Sequence, residues 1–140
     1  MKTVLAHGCF DVIHIGHIRL LKAARAMGDE LVVSLLSDRF VTAAKGAGRP
    51  VHTLEARAEH LRELRCVNRV VVVNGPGSKA VERMIDSVRP AIYVKGANCR
   101  GLVPEKEFLK SIGTELVFLD MVKLDGEPMS TTRILETFAP

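Results

Sequence analysis

Two histidines, His14 and His17, are separated only by Ile15 and Gly16, and Gly8 and Gly16 bracket the stretch that holds them. Just before it lies the short apolar run Thr3-Val4-Leu5-Ala6. Just after it, Ile18, Leu20, Leu21, Ala24 and Met27 recur at helical spacing. The pair therefore falls at a strand-to-helix junction. A helix start offers unpaired N–H groups and the positive end of the helix dipole, so it attracts anions. Gly16 lets an anion approach the backbone there. Imidazole donates to phosphate in either charge state, and more strongly when protonated. The chemistry this suggests is phosphate binding. Solvated helix-start histidines and a two-histidine metal site share the pattern, but no third ligand at a convincing spacing accompanies them.

The elements that must position these histidines follow from the rest of the chain. Glu30 to Leu36 is a near-continuous apolar run, as expected of a parallel strand covered on both faces. Gly28 stands where a glycine would end the first helix. A short helical turn is expected near Asp38 to Ala43, then a flexible basic loop through Lys45, Gly46, Gly48, Arg49 and Pro50. Thr53 is placed to cap a helix from Leu54 to about Arg65, with Leu54, Ala58, Leu61 and Leu64 on its inner face. Val70 to Val73 reads as a strand, and Asn74-Gly75-Pro76-Gly77 breaks the chain. Ser78 opens a helix that buries Val81, Met84, Ile85 and Val88 and stops before Pro90.

Ala91 to Val94 is the next strand, ending at Lys95-Gly96. Pro104 stands near the first turn of a helix through Ile112, and Glu115 to Leu119 is the last strand. A loop is expected over Lys123 to Met129, and Ser130-Thr131-Thr132 opens a final helix through about Phe138. Strands alternating with helices predict an α/β fold with a largely parallel five-stranded sheet and helices on both faces. Ligands in such sheets bind beyond the carboxyl ends of the strands, at a switch point in strand order.

Composition bounds the rest. At 140 residues the chain is expected to form one domain, residues 1–140, with a core built from aliphatic side chains, since aromatics make up only 4%. The net charge of +4 comes from scattered basic residues, which argues against extended nucleic-acid binding and suits a small anion. No apolar run approaches the ~20 residues that span a bilayer. Met1-Lys2 leads straight into a strand-like run rather than a signal peptide. Cys9, Cys66 and Cys99 form no CxxC pair, which speaks against disulfides or zinc and for a reducing cytoplasm. No membrane partner and a cytoplasmic location are therefore expected.

The decapeptide Gly8-Cys9-Phe10-Asp11-Val12-Ile13-His14-Ile15-Gly16-His17 resembles the GxFDxxHxGH signature of the cytidylyltransferase-like nucleotidyltransferases, which share a HIGH motif with class I aminoacyl-tRNA synthetases. Met129-Ser130-Thr131-Thr132-Arg133-Ile134 resembles their second signature. Cys9, the segment Lys45 to Val51, Leu54-Glu55-Ala56-Arg57, Arg89-Pro90 and Val94-Lys95-Gly96 are together similar to the adenylyltransferase domain of bacterial heptose-phosphate enzymes. Glycerol-3-phosphate cytidylyltransferases are the nearest alternative. They usually carry an arginine just before the Ser-Thr pair, where this chain has Asp125-Gly126-Glu127-Pro128-Met129. Two positions depart from the heptose pattern: His7 replaces the usual Asn, and Asn98 replaces the usual Asp. A non-catalytic nucleotide-binding module is the alternative of another class.

The resemblance implies a Rossmann-like three-layer α/β/α sandwich and transfer of a nucleotidyl group, from ATP or else CTP, to a phosphorylated sugar or polyol. It implies Mg²⁺ as the triphosphate's companion, no nucleic-acid partner, and a homodimer. By the same resemblance His14, His17 and Lys45 are the catalytic residues. Gly8, Cys9, Phe10, Gly16, Lys95, Gly96, Met129, Ser130 and Thr131 join the two histidines in holding the nucleotide. Asp11, Lys45, Arg49, Arg57 and Asn98 are expected around the acceptor. Lys45 is expected to be a mobile loop cation, Asp11 to brace its loop rather than act as a base, and Cys9 to be a small filler rather than a nucleophile. No protein metal site is expected.

Overall fold

The computed structural model describes residues 1–73, 75, 77–97 and 103–119, together with the backbone of 123–124 and 127–128. The apolar runs become five strands: β1 (Thr3–Gly8), β2 (Glu30–Leu35), β3 (Arg69–Val72), β4 (Ile92–Gly96) and β5 (Glu115–Leu119). They form one sheet in the order β3-β2-β1-β4-β5, and every pairing is parallel. Among the described residues five helices accompany them: α1 (Ile15–Arg25), α2 (Asp38–Lys45), α3 (Leu54–Arg62), α4 (Gly77–Val88) and α5 (Lys106–Ser111). The expected α/β architecture is the one observed.

The sheet separates two cores because successive strand side chains point to opposite faces. Val4 and Ala6 of β1 pack with Leu21 and Ala24 of α1 and with Ala58 and Leu61 of α3. Leu5 of β1 packs on the other face with Val81, Met84 and Ile85 of α4 and with Leu109 of α5. Leu31 to Leu35 are buried throughout, which explains why β2 reads as an uninterrupted apolar run. The strand order reverses beside β1, between β1 and β4. Their carboxyl ends therefore flank the crevice where a ligand enters such a sheet.

Helix α1 begins at Ile15, which makes His14 its cap and puts His17 in its first turn, the strand-to-helix junction expected of the pair. Several boundaries differ from expectation. Helix α2 runs to Lys45, because Ala43 and Ala44 favour helix and Gly46, at φ +97°, is the first residue to leave it. Helix α4 begins at Gly77, one residue before Ser78. The loop expected over Lys123 to Met129 contains a short antiparallel pair, β6 (Lys123–Leu124) with β7 (Glu127–Pro128). Gly28 is required by space. A Cβ there would lie 2.7 Å from the Lys2 carbonyl oxygen and 2.8 Å from Val4 Cγ2. Among the described residues no helix is long and apolar enough to cross a membrane.

Candidate active site

His14 is the N-cap of α1, with extended backbone at φ −130° and ψ 177°. Its Nδ1 accepts the Gly16 N–H at 3.0 Å, and its own N–H donates to His17 Nδ1 at 3.2 Å. Two orphan helix-start donors are thus satisfied reciprocally, an arrangement usually made by Ser or Thr with Glu. The two rings stack with centroids 3.8 Å apart and planes 29° apart. Because each Nδ1 is an acceptor, the single proton of each neutral ring sits on Nε2. His14 Nε2 is buried and has no partner among the described residues. Buried polar groups are nearly always hydrogen-bonded, so this donor is available to an anionic oxygen at the helix start. Burial lowers the His14 pKa. The His17 pKa is lowered to about 4 by burial first, then by His14 and Lys45, against the opposing pull of Asp11.

The loop that delivers the histidines is strained. Phe10 and Val12 have φ of 48° and 49°, a region that costs about 1–3 kcal/mol for residues with a side chain. Phe10 lies over Gly8, where a Cβ would come 3.1 Å from Phe10 Cε2, and its ring centroid is 5.5 Å from that of His17. Asp11, 2% exposed, holds the loop. Its carboxylate accepts the N–H groups of Val51 at 2.7 Å and His52 at 2.9 Å, and Arg49 Nε at 3.2 Å. Burial pushes the Asp11 pKa up, but these two backbone donors and Arg49 outweigh it and leave it lowered.

Arg57 is fully buried. It donates to the carbonyls of His52 at 3.1 Å, Cys9 at 2.9 Å and Leu36 at 3.0 Å, and to Asp38 Oδ1 at 2.7 Å. The sequence placed Asp11 and Arg57 around the acceptor. The structure shows Asp11 bracing its loop, as expected, and shows the Arg57 charge spent inside the chain on three carbonyls and Asp38.

Lys45 is also placed differently from expectation. It is exposed on the last turn of α2, a helix tied to the next loop by the Thr42 hydroxyl, which donates to the Arg49 carbonyl. Its charge still reaches the histidine loop, lowering the pKa of both His17 and Cys9. The Cys9 thiol is pushed up by burial despite Lys45, Arg57 and Arg49, so it stays protonated, as a filler would. Arg49 borders an open pocket of about 310 Å³ that Asp38, Thr42 and Val51 also line.

Across the switch point, Lys95 and Gly96 end β4. Lys95 Nζ lies 3.8 Å from Glu105 Oε1, which also accepts the Tyr93 hydroxyl at 2.6 Å. His7, at the end of β1, pairs in register with Ser34 and shares a 2.7 Å hydrogen bond between its Nδ1 and the Ser34 hydroxyl. Burial, then the Lys95 charge, lowers the His7 pKa to about 3. Tyr93, Ser34 and Glu105 went unnoticed in the sequence. The alternation of Tyr93 and Lys95 along one strand face was the available signal. Asn98, Met129, Ser130 and Thr131 lie outside the described residues.

The model of a family described as Cytidylyltransferase-like matches residues 5–137 of this chain. The bifunctional protein HldE of Streptomyces coelicolor is 44% identical over 134 residues, covering 95% of this chain and 27% of that protein. The bifunctional protein HldE of Gluconobacter oxydans is 42% identical over 135 residues, covering 96% and 27%. The chain thus spans about a quarter of the length of these curated relatives. Among solved structures, a lipopolysaccharide core biosynthesis protein from Thermoplasma volcanium superposes with a TM-score of 0.69 at 30% identity, covering 89% of this chain and 99% of that one. Pantothenate synthetase from Thermus thermophilus superposes with a TM-score of 0.71 at 16% identity, covering 96% and 61%, a likeness of fold alone.

Proposed function

We propose that this chain, which belongs to the cytidylyltransferase-like family of nucleotidyltransferases, transfers AMP from ATP to a sugar phosphate and releases pyrophosphate. The acceptor we assign is D-glycero-β-D-manno-heptose 1-phosphate. The similarity of the chain to the HldE proteins and its likeness to heptose-phosphate enzymes at Cys9, Lys45 to Val51 and Val94-Lys95-Gly96 support that choice. The observation that carries the reading is the unpartnered, buried Nε2 of His14 at the start of α1, beside the switch point.

An oxygen of the acceptor phosphate attacks the α-phosphorus. The new P–O bond forms as the bond to the bridging oxygen breaks, and pyrophosphate leaves. The attacking group is already anionic and needs no protein base. Such a step needs alignment and charge stabilisation. His14 and His17 act as neutral Nε2–H donors to the triphosphate, helped by the N–H groups of α1. Gly8, Cys9, Phe10 and Gly16 shape the loop around it. Lys45 and Arg49 are assigned to the acceptor side and Lys95 and Gly96 to the nucleotide, and the family resemblance assigns Ser130 and Thr131 to the distal phosphates.

Among the described residues no three His, Cys, Asp or Glu side chains come together to hold a metal. Mg²⁺ is assigned as the triphosphate's companion, held mainly by phosphates and water, as the family resemblance implies. We also assign a homodimer as the assembly and the cytoplasm as the location.

The test is pyrophosphate release by purified protein with Mg²⁺, ATP and the heptose 1-phosphate. CTP with glycerol 3-phosphate serves as the competing arm. Release in the first arm is the expected outcome. Release confined to the second would transfer the assignment to CTP. Silence across the common triphosphates and a broad panel of sugar phosphates would overturn the enzymatic reading.

A further inference from the structure

Glu105 is a carboxylate only 3% exposed, in the segment that leads into α5. A carboxylate taken from water is costly unless its charge is answered. Among the described residues two groups answer it: the Tyr93 hydroxyl, at 2.6 Å, and the Lys95 ammonium, at 3.8 Å from the same oxygen. Tyr93 and Lys95 are two apart on β4 and share the face toward α4 and α5. Tyr93 is fully buried, whereas the Lys95 side chain is 15% exposed. Phenol, carboxylate and ammonium thus run outward from the core to the carboxyl end of β4.

The two contacts differ in kind. The phenol bond is short and fixes the carboxylate. The 3.8 Å separation exceeds hydrogen-bond length, so the ammonium is attracted to Glu105 but keeps its donors for another anion. A buried ion pair is an inefficient way to stabilise a core, since apolar residues of similar volume often serve as well or better. This pair ends beside the crevice between β1 and β4, the place where such sheets receive ligands. The Lys95 charge is also felt across the crevice at His7, which stays neutral there.

The geometry points to Glu105 as a positioning residue: fixed by the Tyr93 hydroxyl, its carboxylate holds the Lys95 ammonium at the switch point, where it meets an anionic group of the nucleotide. The inference rests on the nucleotidyl-transfer reading above. It adds a residue that acts only through Lys95 and only on nucleotide binding.

The experiment is titration calorimetry of Mg·ATP on the whole chain, for wild type, Glu105→Gln, Lys95→Gln and the double variant, with melting temperatures recorded for each. Glu105→Gln preserves shape and an acceptor for Tyr93 but removes the charge. It is expected to weaken binding roughly tenfold, the scale of one charge-assisted hydrogen bond. In the Lys95→Gln background the same change is expected to shift affinity less than about twofold, because its target is gone. A purely structural Glu105 would lower melting temperature in both backgrounds and leave affinity alone. Wild-type affinity in Glu105→Gln, or equal weakening in both backgrounds, would overturn the inference. If Glu105→Gln does not fold, Tyr93→Phe is read instead, and unchanged affinity there overturns it. Absence of both Mg·ATP binding and pyrophosphate release in wild type would strike the parent reading and take this one with it.

Discussion

The imidazole of His14 lies on that of His17 with ring centroids 3.8 Å apart, and each ring spends its Nδ1 on a backbone N–H of the same helix start. Neither ring gains a second proton without giving up a cap. Phosphate sites often use cations. Here the folded chain holds the histidines as neutral donors, with Lys45 the cation whose charge reaches His17; on the reading proposed above, that is the form in which they meet the triphosphate.

Stability should therefore fall in mild acid. The unfolded chain protonates histidine near 6.5, but the folded chain protonates His17 only near 4 and His7 only near 3. Between those values the unfolded state binds more protons. Stability is full above about pH 6.5 and declines as pH drops toward the folded values. At about pH 5 the loss is about 2 kcal/mol for each of these histidines. Urea midpoints at neutral pH and at about pH 5 measure it. His7→Asn, whose amide can still bond Ser34, should shrink the difference by one histidine's share. An undiminished difference would remove His7 as a source.

Rate and stability should separate at His17. In His17→Ala both the cap and the phosphate donor go, with about 1 kcal/mol lost in stability and turnover down on the order of 10²- to 10³-fold. His17→Glu rebuilds an ordinary capping box, since a carboxylate at that position accepts the His14 N–H and suits the helix dipole. It should melt no lower than wild type yet stay inactive, because the carboxylate repels the triphosphate. Pyrophosphate release and thermal melts decide the matter, and an active Glu variant would contradict the role given to His17.

Arg57 should behave as a core residue despite its charge. Arg57→Leu leaves the Cys9, Leu36 and His52 carbonyls without their donor, at a cost of about 1–3 kcal/mol for each that stays buried, while the half-exposed Asp38 carboxylate turns to water. Arg57→Lys should recover little of it, since one ammonium cannot span a fork of partners in three loops. Denaturant unfolding reads the loss directly. A lysine variant of wild-type stability would show that charge alone, rather than the fork, holds the loops.

Much of the fold was legible because its signals are local. Continuous apolar runs such as Leu31 to Leu35 announce doubly covered strands, and His14 and His17 stand visibly at a helix start. What escaped notice depended on distant partners. Arg57 lies among Glu55, Glu59 and His60 and reads as a surface cation, although it adjoins Ala58 on the inner stripe with Leu61. Asp11 gave no sign that its partners would be the amides of Val51 and His52, some forty residues on. The β6–β7 pair, by contrast, carries a local signal. Asp125-Gly126 is a two-residue hairpin sequence between Lys123-Leu124 and Glu127-Pro128.

Asp11 and Arg57 also cross over. The carboxylate of the first loop grips the chain entering α3, and the guanidinium of α3 grips the first loop at Cys9. Thr42 bonds to Arg49, and Arg49 to Asp11, which extends the lattice to the helix bearing Lys45. The position of α2 relative to the histidine loop is therefore written into the folded chain. On the proposed reading, the entropy of bringing these elements together is lost once, during folding, rather than again with each substrate.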